Sequence, residues 1–167
     1  MSPPRPNHIL KIQWEIHYFT FLNTDQKAPK KQLSQERSSS AVIFYWGIQK
    51  IFNTLELHNI FFSDDYRAEF DAIFKEETVS DDPTIYLNIT SKDVPGDAPA
   101  GCENWFIMIN TPPDKGQDWD EMVSKLRTIV INKLSKELAV NIASLIVCEE
   151  VLTPPLIQSK TQSHLGA

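Results

Sequence analysis

Ser40-Ala-Val-Ile-Phe-Tyr-Trp-Gly-Ile48 is the stretch on which the fold turns. It is β-branched and aromatic, and after Ser40 it contains no polar side chain. Such a run reads as a strand, and its lack of polar alternation predicts burial on both faces. Working toward the C-terminus, His58 to Phe62 reads as a second, shorter extended piece. Ser63-Asp64-Asp65 then offers capping oxygens to a helix in which Tyr66, Phe70, Ile73 and Phe74 recur at helical spacing. Asp82-Pro83 ends that region, because the residue before a proline disfavours the helical well. Ile85, Leu87 and Ile89 alternate with Thr84, Tyr86, Asn88 and Thr90 in a strand, and Trp105 to Asn110 makes another. Between them Ser91 to Gly101 is rich in turn formers, so 84–110 reads as an antiparallel hairpin with a long loop.

After Pro112-Pro113, Asp118 with Glu121 resembles a capping box. Trp119, Met122, Val123, Leu126, Val130, Leu134 and Leu138 mark one face of a long amphipathic helix, the strongest periodic signal in the chain. A last strand is predicted over Ala143 to Val151, ahead of Pro154-Pro155. The order strand–helix–strand–strand–helix–strand predicts an α+β fold of the split βαβ kind, an antiparallel sheet with helices on one face.

The 167 residues suit one domain, here placed at 38–153, with a poorly ordered arm at 1–37 and a polar tail at 154–167. Within the arm, Ile12 to Tyr18 alternates in a strand-like way. Residues 1–40 carry six basic and three acidic side chains, whereas the remainder carries ten and nineteen. The net charge of −6 and pI near 5.2 argue against a phosphate-binding surface, so nucleic acid is excluded as a partner. The longest apolar run, Ala41 to Ile48, falls far short of the roughly 20 residues that span a bilayer. With no signal-peptide pattern and only Cys102 and Cys148, a cytoplasmic chain is expected.

Chemical motifs are sparse. Glycines stand singly at 47, 96, 101, 116 and 166, so no glycine-rich phosphate loop is present and no cofactor-binding residue is assigned. His8, His17, His58 and His164 form no ligand pair, and no metal site is expected. The acidic pairs 64–65, 76–77, 81–82 and 149–150 read as solvated loop and helix-start residues. The aromatics say more. Phe44, Tyr45 and Trp46 lie on one strand, Tyr86 on another, and Trp105 with Phe106 on a third. On neighbouring strands they would build an aromatic wall, either plain core packing or the lining of a channel for a long apolar ligand.

A family resemblance sharpens this. Ser34-Gln-Glu-Arg-Ser-Ser-Ser-Ala-Val-Ile-Phe-Tyr-Trp-Gly47 resembles a segment of the bacterial phytoene desaturases, flavin-dependent carotenoid desaturases related to the amine oxidase fold. The similarity continues through Leu57–Tyr66, Glu69-Phe70, Ile73-Phe74, Asp82–Ser91 and Ala98–Asn104, and covers about residues 25–167. It implies an oxidoreductase that dehydrogenates a polyene C–C bond, with FAD as the acceptor, working at a membrane surface as a peripheral protein. Members of the family begin with a glycine-rich strand–turn–helix that holds the flavin pyrophosphate, and nothing in this chain resembles it. The expectation is therefore an internal fragment, the substrate-binding part of such an enzyme, inactive alone. Its alternatives are a free-standing module that binds a polyene or lipid without catalysis, and a piece too exposed at its sheet edges to fold stably. The resemblance implies substrate contact for Phe44, Tyr45, Trp46, Tyr86 and Trp105, with His58 as a neighbouring polar group; no catalytic residue is assigned.

Overall fold

A computed structural model describes residues 38–161 and 163–166 of the chain. The strand-like segment Ile12–Tyr18 and the whole N-terminal arm, 1–37, lie outside the described residues. In order, the elements are β1 (Ser40–Ile48), β2 (His58–Phe61), α1 (Tyr66–Phe74), β3 (Ile85–Asn88), β4 (Glu103–Thr111), α2 (Trp119–Glu137), β5 (Ile146–Leu152) and α3 (Pro154–Thr161). The strands form one sheet in the order β2-β3-β4-β1-β5, antiparallel at every junction. Leaving aside the short edge strand β2, this is the split βαβ order: β4 of the hairpin inserts beside β1, and β5 closes the far side. The α+β architecture is the one read from the sequence.

Side chains alternate across a strand, so each strand divides its residues between two sheet faces. On one face Val42, Phe44, Trp46 and Ile48 of β1 meet Ile85 and Leu87 of β3 and Trp105, Ile107 and Ile109 of β4, all buried. Leu126, Val130 and Leu134, spaced four apart along α2, complete that core. The other face behaves differently from expectation. Tyr45 is 43% exposed, and the remaining outward residues of β1 are half-buried. The run Ser40–Ile48 is thus buried on one face rather than two. Its apolar content on the second side lies on a half-exposed surface.

Two buried carboxylates fasten loops to this frame. Glu69 of α1 accepts from the Thr84 backbone N–H at 2.9 Å and from the Thr84 hydroxyl at 2.7 Å, tying α1 to the start of β3. Glu103, at the start of β4, accepts from the Phe52 N–H at 2.9 Å and from Trp105 Nε1 at 2.8 Å. Its charge is met by Lys92 Nζ at 2.7 Å, which also donates to the Phe52 carbonyl. Burial of these carboxylates is tolerable because each is hydrogen-bonded on both oxygens.

The last strand starts at Ile146, not Ala143, because Ile142–Leu145 close a 3-10 turn after Asn141. The residues read as a polar tail include α3, which has proline at its first two positions, where the absent N–H groups cost nothing. Beyond it the Leu165 carbonyl accepts from the Asp114 N–H at 2.9 Å, and Ser40 Oγ donates to the Gly166 carbonyl.

Candidate functional site

The open face is ordered in rows that cross the strands. Register pairing aligns Ile60, Tyr86, Met108, Ile43 and Leu152 in one row and His58, Asn88, Phe106, Tyr45 and Glu150 in the next. A third row holds Asn104, Gly47 and Cys148. With strands about 4.8 Å apart, a full row is roughly 19 Å long. The first row is nearly all apolar. The second has an aromatic centre, where Tyr45 and Phe106 pack edge-on with ring centroids 5.5 Å apart and Tyr86 meets Phe106 at 6.3 Å.

Over the second and third rows lies a cleft of about 580 Å³. Its floor is low because Gly47 has no side chain, and the Cys148 thiol sits over that gap: a Cβ built at position 47 would come within 2.5 Å of Cys148 Sγ. Phe106 and Tyr45 bound one side, and Ala98, Pro99 and Cys102 of the hairpin loop bound the other. The β1–β5 register slips between Gly47 and Ile48, and Val147, at the slip, is 59% exposed and lines the cleft. Bulges of this kind re-aim side chains at the rims of sites. The loop wall is held from behind: Asn104 accepts from the Ser91 N–H at 2.9 Å and donates to Thr90 Oγ1 at 2.6 Å, while Thr90 donates to Asp97.

The structure divides the six residues singled out in the sequence. Phe44, Trp46 and Trp105 lie on the covered face, at 0%, 2% and 1% exposure, as core. Tyr45, Tyr86 and His58 lie on the open face, where His58 Nδ1 is 2.9 Å from the Tyr86 hydroxyl and 3.1 Å from Asn88 Nδ2. The amide can only donate, so Nδ1 accepts, and the His58 tautomer carries its proton on Nε2. The aromatics therefore do not form a single wall. Strand alternation splits them, and Phe106 takes the central place on the open side. Gly47, Asn88, Asn104 and Cys148 were not foreseen as site residues; Asn88 pairs with Phe106, and Gly47 pairs with Asn104 and Cys148, a register that follows from strand order and leaves no signal in the linear sequence.

The described residues do not fit a flavin dinucleotide. A pyrophosphate is usually held at a helix N-terminus reached by a glycine-rich turn. Here the N-terminus of α1 already holds the Asp65 carboxylate, which accepts from the Ala68 N–H at 2.9 Å. That of α2 holds Asp118, which accepts from the Glu121 N–H at 3.0 Å. The α3 N-terminus begins with two prolines and lacks the donors. Among the described residues there is also no cluster of three or more His, Cys, Asp or Glu suited to a metal ion, and no helix long and apolar enough to cross a membrane.

Comparison with known proteins gives the class. A 1-hydroxycarotenoid 3,4-desaturase of Flavobacterium sp. (strain P99-3) is 55% identical over 143 residues, which are 86% of this chain and 29% of the relative. A 4,4'-diapolycopene oxygenase of Methylomonas sp is 40% identical over 141 residues, covering 83% of this chain and 28% of the relative. A phytoene desaturase of Fusarium fujikuroi is 32% identical over 154 residues, covering 80% and 27%. No protein-family model matches the chain. The chain is homologous to a segment of the carotenoid desaturases, the family its motifs resemble, and it spans under a third of the length of these relatives.

Proposed function

We propose that this chain supplies the substrate-facing sheet of an FAD-dependent carotenoid desaturase, an oxidoreductase of carotenoid biosynthesis, and that the open face is the surface against which the polyene lies. The observation that carries this reading is the pairing of homology with a half-exposed apolar face. A sheet normally hides its second apolar face or solvates it with polar residues. This one keeps Ile43, Tyr45, Tyr86, Phe106 and Met108 outward and adds a cleft with a glycine floor. A long, flat polyene crossing the strands matches that shape, and apolar walls with a few placed polar groups are what such ligands need. The flavin, the hydrogen acceptor that the family resemblance implies, does not fit the described residues, so no step of the dehydrogenation is assigned to them. Their part is to bind and orient the chain of double bonds.

Both cysteines of the protein line the cleft, which gives a direct test. The full chain is incubated with a carotenoid in detergent micelles and alkylated with a maleimide. Carotenoid slows modification of Cys148 and Cys102 by about ten-fold once free ligand reaches ten times Kd, while empty micelles do not. Equal rates with and without carotenoid overturn the reading.

A further inference from the structure

The floor of the cleft is built where two residues of β5 converge on one of β1. Gly47 pairs with Cys148 and Ile48 with Ile146, so Val147 is the extra residue of a β-bulge. In a bulge two residues of one strand oppose a single residue of the other. Here both side chains reach the space above Gly47. From the point where a Cβ would stand, Cys148 Sγ lies at 2.5 Å and Val147 Cγ2 at 3.5 Å. The sulfur thus takes nearly the place of the side chain that position 47 lacks, and all three residues line the cleft. The walls beside this floor are braced. Tyr45 and Phe106 pack edge-on with centroids 5.5 Å apart, and the loop wall is tied through Asn104, Thr90 and Asp97. Depth at this point is set by one small, rotatable group, the Cys148 thiol.

Resting on the reading of this face as a polyene surface, we infer that Cys148 is a specificity-determining residue: its sulfur, seated over Gly47, sets how thick an end group the cleft accepts. The cysteine acts as a small apolar plug, a role that does not use its reactivity. A larger side chain at 148 raises the floor, and a smaller one lowers it by a step about the size of a methylene. Such a step in an apolar pocket is worth roughly ten-fold or more in discrimination. Gly47 belongs to the same device, because any side chain there pushes the sulfur into the cleft.

Two polyenes of equal conjugated length, one open-ended and one ended by a cyclohexenyl ring, are titrated against the full chain. Binding is read from protection of Cys102, which lines the cleft and is kept in every variant. Cys148→Ala raises affinity for the ring-ended ligand relative to the open-ended one by about ten-fold. Because Cys148 is exposed, this variant keeps the wild-type denaturant midpoint. Gly47→Ala moves the affinity ratio the opposite way. The double variant, Gly47→Ala with Cys148→Ala, returns the ratio to that of the wild type. Its added methyl stands where the sulfur stood, and the nearest remaining side-chain atom is Val147 Cγ2 at 3.5 Å, an ordinary van der Waals contact. An unchanged ratio in Cys148→Ala, or a double variant that keeps the Cys148→Ala ratio, overturns this inference and leaves the polyene surface standing. Protection of Cys102 in the wild-type chain by neither polyene overturns the polyene surface itself.

Discussion

Tyr45 and Trp46 are adjacent in sequence and opposite in role, which separates binding from stability at the level of single residues. Trp46 is 2% exposed and packs 5.6 Å from the Phe44 ring inside the core. Trp46→Ala should therefore cost about 3–5 kcal/mol in denaturant unfolding, the range for truncating a buried aromatic. Tyr45→Ala should cost under about 1 kcal/mol, since its side chain is largely outside the packed core. It should nevertheless abolish carotenoid protection of Cys148. Loss of protection in neither variant would detach ligand binding from this row. The buried carboxylate makes a second residue-scale case. Glu103→Ala strands the Lys92 ammonium and two N–H donors together, so unfolding free energy should fall by roughly 3 kcal/mol. Lys92→Met leaves Glu103 with both of its neutral donors and should cost less. The reverse order would show that the Lys92 charge, and not the two neutral donors, is what keeps the Glu103 carboxylate buried.

At the scale of elements, helix ends show where local chemistry and sequence preference part. After α2, the Val140 N–H reaches the Ser135 carbonyl at 3.1 Å and the Ala139 N–H reaches Lys136 at 3.4 Å, the two bonds of a Schellman ending. That ending needs a left-handed residue, and Ala139 supplies it at φ 51°. An alanine there is held against its steric preference, so Ala139→Gly should raise stability by about 1 kcal/mol, read as a higher denaturant midpoint at unchanged slope. The same helix shows why much of the fold was legible. Its apolar residues recur at helical spacing and its Asp118 cap stands where the pattern begins. The hairpin of β3 and β4 was legible through alternation and through the turn formers between them. What alternation cannot say is which of two apolar faces a helix will cover. In β1 both sets are apolar, so Phe44 and Trp46 could not be told from Tyr45 by composition. The start of β5 was misplaced for a related reason: Ala143 and Leu145 carry apolar side chains but lie in a turn set by Asn141. The cleft was the least legible part, since it depends on Gly47 facing Asn104 and Cys148, a register fixed by strand order and invisible in a linear reading.

Across the whole molecule, the edge formed by β2 and α1 is attached to the rest through polar clamps, and this predicts how acid takes the structure apart. Lys133, on α2, donates to Asp82 at 2.6 Å, to the Phe62 carbonyl at 2.7 Å and to the Pro83 carbonyl at 3.1 Å. One ammonium thus joins the long helix to the end of β2 and the approach to β3. Burial alone would raise the Asp82 carboxyl. The hydrogen bond from Lys133, the bond from the Asp64 backbone N–H, the Lys133 charge and the Ser63 hydroxyl together outweigh it and hold the group below the usual carboxylate range. A carboxyl whose folded value is depressed stabilises the fold fully above its unfolded value of about 3.9, and that contribution is lost as pH falls through the lower folded value. Asp82 is partly open to solvent, so the loss is local and modest in size. The central strands β1 and β4 pair with each other along their whole length and pack on α2 through apolar side chains, with the Glu103 carboxylate confined to one end of β4. Hydrogen exchange followed from pH 6 to pH 3, corrected for intrinsic rates, should therefore show protection at Asn59–Phe61 and in α1 falling first, with β1 and β4 holding. In Lys133→Met the same edge should already exchange faster at pH 6, and the further change below pH 4 should shrink. Uniform loss of protection across all five strands would mean that the edge and the centre open as one cooperative unit.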